Sequence, residues 1–341
     1  MIYLDGLIFS LQKSGGISVY FAEIIKNISG LDVNLFTGFD ENNIYKEYRL
    51  SSLDFKCHSS RFLERYRDIE LGDEYRVFHS SYYRLPVKKN RHSIKVVSTI
   101  HDFTYERYIG GLRGAIHSKQ KRNAVMNSDE VICISESTKN DLLEFIPEAK
   151  NKNIHVIHNG VSGEFTYTKN NEVNNNVLFV GSRVGYKNFI NVVKSLASHT
   201  NLALKIIGGG PLSVDEKKLL DFYLLDRYEY LGFVSNRELN ELYNSSFCLL
   251  YPSEYEGFGI PILEAMKSGC PFIALDRSSI PEVAGDAGIL LGSSDPKLIS
   301  SALGELYSTH NRNELVKLGL KNSQGFSWKS CAENVNQIYF G

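Results

Sequence analysis

Tyr251-Pro-Ser-Glu-Tyr-Glu256-Gly-Phe-Gly-Ile-Pro-Ile-Leu-Glu264-Ala-Met266 joins the end of an apolar run to a glycine turn and then to a helix start. Glu256 stands just before Gly257-Phe258-Gly259, Pro261 suits a first helical turn, and Glu264 falls about one turn further in. Unsatisfied backbone N–H groups at such a start, with the positive end of the helix dipole, suit an anion such as a phosphate. Ionised carboxylates only accept hydrogen bonds, so Glu256 and Glu264 can hold hydroxyls on either side of that anion. Hydroxyls flanking a phosphate describe a nucleotide-sugar.

The same strand-to-helix unit recurs along the chain. Apolar runs at Ile2–Leu4, Val33–Phe36, Val77–His79, Val96–Ile100, Glu130–Ile134 and Ile154–Ile157 predict strands in the first half. Val177–Val180, Ala203–Ile207, Tyr228–Gly232, Phe247–Leu250, Pro271–Ala274 and Gly288–Leu290 predict strands in the second. Helical patterns lie between them, at Val19–Ser29, Phe189–Ser198, Ser213–Leu225 and Arg237–Asn244. Alternation of this kind predicts parallel sheets with helices on both faces. Twelve strands exceed one open sheet of usual width, so the fold class is α/β with two doubly wound Rossmann-like domains. The turn dipeptide Asn159-Gly160 and the polar, Asn-rich segment Thr168–Asn176 mark the division. The expected boundaries are 1–165 and 166–326.

At 341 residues, 43% hydrophobic and 23% charged with net charge −1, the chain has the composition of a globular protein, and no basic excess marks it as a nucleic-acid binder. Five scattered cysteines without paired spacing read as reduced core residues of a cytoplasmic protein. No apolar run approaches the ~20 residues of a transmembrane helix, and the N-terminal residues lack a basic leader.

The chain resembles the family 4 retaining glycosyltransferases of the GT-B fold, in which two Rossmann-like domains face a cleft. The likeness spans nearly the whole length and is densest over Tyr251–Leu291, including Ile280-Pro-Glu-Val-Ala-Gly-Asp-Ala-Gly-Ile-Leu. Glu256 and Glu264 match the family's E-x7-E motif. The resemblance implies that Glu256 holds hydroxyls of the transferred sugar, Glu264 holds the ribose, and Gly257, Phe258, Gly259 and Ile260 lie against the donor. A departing diphosphate needs positive charge, and Leu178-Phe-Val-Gly-Ser-Arg-Val-Gly-Tyr-Lys-Asn-Phe189 offers Arg183 and Lys187. The resemblance implies that these grip the two phosphates, although the commoner pattern has Arg where Tyr186 stands. Gly209, within Gly208-Gly-Gly-Pro211, lets backbone approach the donor, and the loop at Val234 is implied to read the base. Ser235 with Glu238, and Ser279 with Glu282, have capping-box spacing.

In the first domain, Gly15 and Gly16 of Lys13-Ser-Gly-Gly-Ile-Ser-Val-Tyr20 can present N–H groups to a phosphate. His101 closes the strand Val96–Ile100 at the edge where open α/β sheets bind ligands, and the resemblance places it against donor sugar and acceptor. His79, Ser80 and Tyr82 end another strand on that side and are acceptor candidates. The amphipathic segment Phe326–Tyr339 is implied to pack back on this domain as a C-terminal helix spanning 327–341. The implied reaction transfers a hexose, mannose by family habit, from a nucleotide-diphosphate sugar to a glycan or lipid-linked acceptor of a surface polysaccharide such as O-antigen or capsule. The anomeric configuration is retained, and neither a cofactor nor a metal is required.

Two stretches contain bases and no acid: Arg76, Arg84, Lys88, Lys89, Arg91 and Lys95, then Arg107, Arg113, Lys119, Lys121 and Arg122. They suggest contact with the anionic inner face of the plasma membrane, or a solvated surface. A non-catalytic nucleotide-sugar-binding subunit fits part of the pattern. An NAD-dependent dehydrogenase fits the paired domains but lacks G-x-G-x-x-G between first strand and helix.

Overall fold

The computed structural model describes residues 1–12, 15–28, 31–36, 55–58, 63–169 and 172–341. The chain divides into two compact units, 1–160 with 328–341 and 161–327. The polar segment read as a connector belongs to the second unit. Thr168 N–H reaches Asn244 Oδ1 at 2.6 Å, and Asn174 N–H reaches the Ser245 carbonyl at 2.8 Å.

Among the described residues the first unit holds seven parallel strands: β1 (Ile2–Asp5), β2 (Leu31–Phe36), β3 (Phe55–His58), β4 (Val77–Ser80), β5 (Lys95–Ile100), β6 (Glu130–Cys133) and β7 (Asn153–Val156). Their order is β3-β2-β1-β4-β5-β6-β7. The second holds β8 (Asn176–Val180), β9 (Ala203–Ile207), β10 (Tyr228–Gly232), β11 (Cys248–Tyr251), β12 (Phe272–Leu275) and β13 (Ile289–Leu291), ordered β10-β9-β8-β11-β12-β13. Both sheets are wholly parallel across their recorded pairings. In each, the order reverses beside the unit's first strand, between β1 and β4 and between β8 and β11. Such a reversal opens a crevice at the strands' carboxyl ends, where this fold class binds ligands. The twelve expected strands are present with ends shifted by a residue or two, and β3 is an addition. Its Phe-Lys-Cys-His alternates rather than forming an apolar run, and so carries a weak signal.

Strands buried on both faces read as continuous apolar runs, which is why the pattern was visible. In the second unit, Val177, Phe179, Leu204, Ile206, Leu250 and Ile273 from the sheet pack with Val192, Val193, Leu220, Ile299 and Leu303 from helices. Each such burial stabilises by about 1.5–3 kcal/mol before chain entropy is set against it. In the first unit, helix Trp328–Phe340 lies on helix Gly16–Asn27, with Trp328, Cys331, Val335 and Tyr339 buried. Among the described residues no helix is long and apolar enough to cross a membrane.

Candidate active site

In the second unit, the loop after β8 is bonded to the loop after β11. Glu254 N–H donates to the Tyr186 carbonyl at 2.8 Å. Asn188, in left-handed backbone at φ 55°, donates through Nδ2 to the Pro252 carbonyl (2.9 Å) and to Glu254 Oε1 (3.0 Å). These bonds bring Lys187 Nζ onto Glu256 Oε1 as an ion pair. The ammonium also lies 5.4 Å from the ring centres of Tyr186 and Tyr251. The Tyr251 phenol is held far above its usual pKa, first by burial and then by the Glu256 carboxylate to which it bonds.

Glu256 is fixed from behind by Ser278, which sequence reasoning did not single out, and by Ser279, which it read only as a helix cap. Its N–H donates to Ser278 Oγ at 2.9 Å, and its carbonyl accepts from Ser279 Oγ at 2.9 Å. Ser278 adopts φ 50° to do this. The expected Ser279–Glu282 capping box is therefore corrected: Ser279 begins helix Ile280–Ala284 without a side-chain cap. Its hydroxyl is engaged by Glu256, a tertiary contact that outranks the local one. The sequence signal was present, since a serine pair before Ile-Pro can serve either purpose.

Gly259 takes φ 101° and starts helix Ile260–Lys267, with Pro261 in its first turn. Glu264, on that helix, accepts from the Tyr243 hydroxyl at 3.2 Å, and desolvation raises its carboxyl to about 7. Gly257 is half-buried and Phe258 buried, its ring 5.9 Å from that of Phe326. Gly208, Gly209 and Gly210 all have positive φ, and a Cβ on Gly209 would stand 2.7 Å from the Gly181 carbonyl oxygen. Arg183 braces this turn. Its guanidinium donates to the carbonyls of Gly208 (3.0 Å), Gly210 (2.9 Å) and Pro211 (3.0 Å) and to Glu216 (2.7 Å). Glu216 also closes the capping box with Ser213 on helix Val214–Leu224. Val234 is half-buried before the Ser235–Glu238 box, which is present on helix Asn236–Ser245.

In the first unit, Gly15 precedes helix Gly16–Asn27, and the Gln12 side chain accepts from Ser18 N–H at 3.4 Å. Lys13 and Ser14 lie outside the described residues. A Cβ on Gly16 would meet nothing within 4 Å. His101 is 5% exposed, its ring edge-on to Tyr20 at 5.0 Å, and its Nε2 has no hydrogen-bond partner. Burial lowers its pKa to about 4, so the ring is neutral at pH 7. Lys121 holds the loop that carries it, donating to the Asp102 carbonyl (2.8 Å) and to Glu106 (2.7 Å).

The expectation that His79 faces an acceptor is corrected. Its ring is fully buried, with Nδ1 bonded to the Tyr339 hydroxyl (2.6 Å) and Nε2 to Thr99 Oγ1 (2.8 Å). Ser80 is buried as well, whereas Tyr82 is half-buried. The basic stretches are also less open than their composition suggested. Arg84 is fully buried between Asp5 (3.4 Å) and Glu64 (2.9 Å), and Lys121 is fully buried on Glu106. Arg91 pairs with Asp68, Arg107 with Asp141 and Glu144, Lys89 with Glu70 and Arg122 with Glu148. Those acids come from outside the two stretches.

Two parallel sheets, each with a ligand-binding switch point, and a lysine–carboxylate pair beside a glycine turn define a glycosyltransferase of the GT-B fold. Residues 14–165 match the model of Glycosyltransferase Family 4, and residues 164–321 match Glycosyl transferases group 1. Taken together these cover most of the chain, which belongs to the family 4 glycosyltransferases. An uncharacterised glycosyltransferase of Methanocaldococcus jannaschii is 28% identical, over 95% of this chain and 94% of that protein. The O-antigen chain mannosyltransferase B of Escherichia coli is 38% identical over 32% of this chain and 29% of its own length. The crystal structure of WaaG, a glycosyltransferase involved in lipopolysaccharide biosynthesis, superposes with a TM-score of 0.75 at 14% identity over both full chains.

Proposed function

We infer that the enzyme transfers a hexose, most simply mannose, from a nucleotide-diphosphate sugar to the growing glycan of a surface polysaccharide, with retention of anomeric configuration. The observation that carries this reading is the Lys187–Glu256 pair set beside the Gly257–Gly259 turn, with Glu264 on the helix that follows. The relatedness to an O-antigen mannosyltransferase supports the choice of product and sugar. Donor binding separates the pair. Glu256 turns to the sugar's hydroxyls and Lys187 to the diphosphate, so each charge exchanges one partner for another rather than losing one. Glu264 and the Tyr243 hydroxyl hold the ribose. Arg183 shapes the Gly208–Gly210 turn, and through it the approach of backbone N–H groups to the phosphates.

As the bond between the anomeric carbon and the diphosphate oxygen breaks, Lys187 and the N-terminus of helix Ile260–Lys267 stabilise the charge that accumulates on the leaving group. The acceptor hydroxyl bonds to that carbon from the side the diphosphate leaves, and its proton passes to the departing phosphate oxygen. His101, neutral and without a partner at Nε2, accepts a hydrogen bond from a sugar hydroxyl or donates one. Positive charge is supplied by side chain and backbone, so the reaction proceeds without a metal.

One assay tests these points: incubation with GDP-, UDP- and ADP-sugars in EDTA, with the product anomer read by NMR. Retained configuration at full rate is expected, with Glu256→Ala losing transfer while keeping nucleotide affinity. Inversion, loss of rate in EDTA restored by Mg²⁺, or an unimpaired Glu256→Ala would overturn the corresponding part.

The first unit also contacts an anionic membrane. Its basic residues outside the ion pairs above include Arg113 and Lys119, on the helix that exposes Leu112 and Ile116. Salt-sensitive sedimentation with phosphatidylglycerol vesicles is expected, weakened in Leu112→Ser/Arg113→Ala. Equal recovery of both proteins at low salt would end the idea.

A further inference from the structure

Helix Val214–Leu224 of the second unit turns an open apolar stripe to solvent. Leu220 and Leu224 lie in the core on its inner side, where Glu216 bonds to Arg183. On its outer side Val214, Lys218, Asp221 and Phe222 stand at helical spacing, and Leu225 follows the last turn. Val214 is 69% exposed, Phe222 77% and Leu225 71%, so three large apolar side chains stand open along one line. The Phe222 ring is held edge-on to Tyr223 at 4.8 Å. Leu225 N–H donates to the Asp221 carbonyl at 3.2 Å, and its backbone takes φ 54°, which glycine adopts freely and leucine does not. A strained position that presents an open leucine points to a surface that something covers.

We propose that this stripe is a two-fold interface on which a second copy of the chain lays the same helix, antiparallel. A two-fold contact is isologous: where one residue meets another, the second also meets the first across the axis. Turned about a point between Leu219 and Leu220, the helix sets Val214 opposite the second copy's Leu225 and Lys218 opposite its Asp221. Both relations repeat on the other side of the axis, so apolar residues cover the two ends and two ion pairs form across the middle. Lys217 falls opposite Phe222, where its methylene stem packs on the ring while its ammonium reaches water. Asp221 Oδ1 accepts from the Tyr228 hydroxyl at 2.6 Å, which orients the carboxylate and leaves Oδ2 for the lysine. A slip of one turn sets Lys218 against Leu225, so the charges fix the register. An anionic membrane is the poorer occupant, because Asp215, Asp221 and Asp226 are all exposed along this helix and its end.

The interface is independent of the transfer chemistry, since Glu216 lies on the inner side of the helix and keeps its bond to Arg183. One helical stripe is small for a protein interface, so the dimer is expected to be weak, with a dissociation constant of about 10–100 µM. Sedimentation velocity on the full chain at low salt, from about 1 to about 500 µM, tests it. The sedimentation coefficient is expected to rise from monomer to dimer and stop there. The double variant Phe222→Asp/Leu225→Asp should stay monomeric throughout. Lys218→Glu should weaken association about tenfold, because the axis breaks two pairs at once, and Lys218→Glu/Asp221→Lys should regain it. An unchanged thermal midpoint shows that each variant is folded. A wild type that stays monomeric, growth beyond the dimer, or an apolar variant that dimerises as the wild type does overturns the interface. A charge exchange that fails to regain what Lys218→Glu loses overturns the antiparallel pairing.

Discussion

Glu264 carries a proton farther up the pH scale than a solvated glutamate does. Its ordinary value is 4.5 and burial lifts it to about 7. Between those limits the unfolded chain has released this proton while the folded chain keeps it, so this residue's contribution to stability falls as pH rises through the window. Glu264→Gln has no proton to release. The difference in unfolding free energy between variant and wild type should be flat below about pH 4.5, grow in the variant's favour to about pH 7, and level off. Urea titrations across that range check it, and a difference that stays flat would show that the carboxyl is not desolvated. Single residues also show what a sequence conceals. Glu256 and Lys187 were legible because their types and their positions after strands pointed to one chemistry. Ser278 and Ser279 were not, because the partner they hold lies in a loop more than twenty residues earlier. His79 was misplaced for a related reason: the tyrosine that seals it is 260 positions away.

At the scale of elements, the turn after β9 depends on backbone that side chains disfavour. Gly209 has φ 72°, and a Cβ there would overlap the Gly181 carbonyl oxygen and the Arg183 guanidinium. Gly209→Ala should therefore cost about 1–3 kcal/mol and lower the thermal midpoint by several degrees. If the turn shapes the approach to the phosphates as proposed, its effect on nucleotide affinity should exceed that of an alanine elsewhere on the second unit. Unchanged affinity would show that Arg183 and its turn are scaffolding only. The alternation of strands and helices was readable because buried parallel strands are written as unbroken apolar runs. The basic stretches look wholly unanswered in sequence because the acids that answer part of their charge lie outside them. Asp5, Glu64, Glu106 and Glu148 all come from outside those stretches.

At the scale of the whole molecule, the second unit is continuous in the chain and the first is not. A fragment of 161–327 should fold alone and bind the nucleotide moiety of the donor, as shown by a thermal shift with the free nucleotide that stabilises the full chain. A fragment of 1–160 lacks Trp328, Cys331, Val335 and Tyr339 from its core, and should show a broad, uncooperative melt. A sharp transition in 1–160 would mean that the last helix is dispensable.

The bond from Tyr339 to His79, and through Thr99 to the Tyr20 beside His101, has a further consequence in time. A ribosome makes the strands of the first sheet early and the helix that seals them last, with the whole second unit between. The first unit therefore completes its core after the second unit has emerged, although its own strands emerge first. A nascent chain stalled before Trp328 would hold a complete second unit and a first unit without its closing helix.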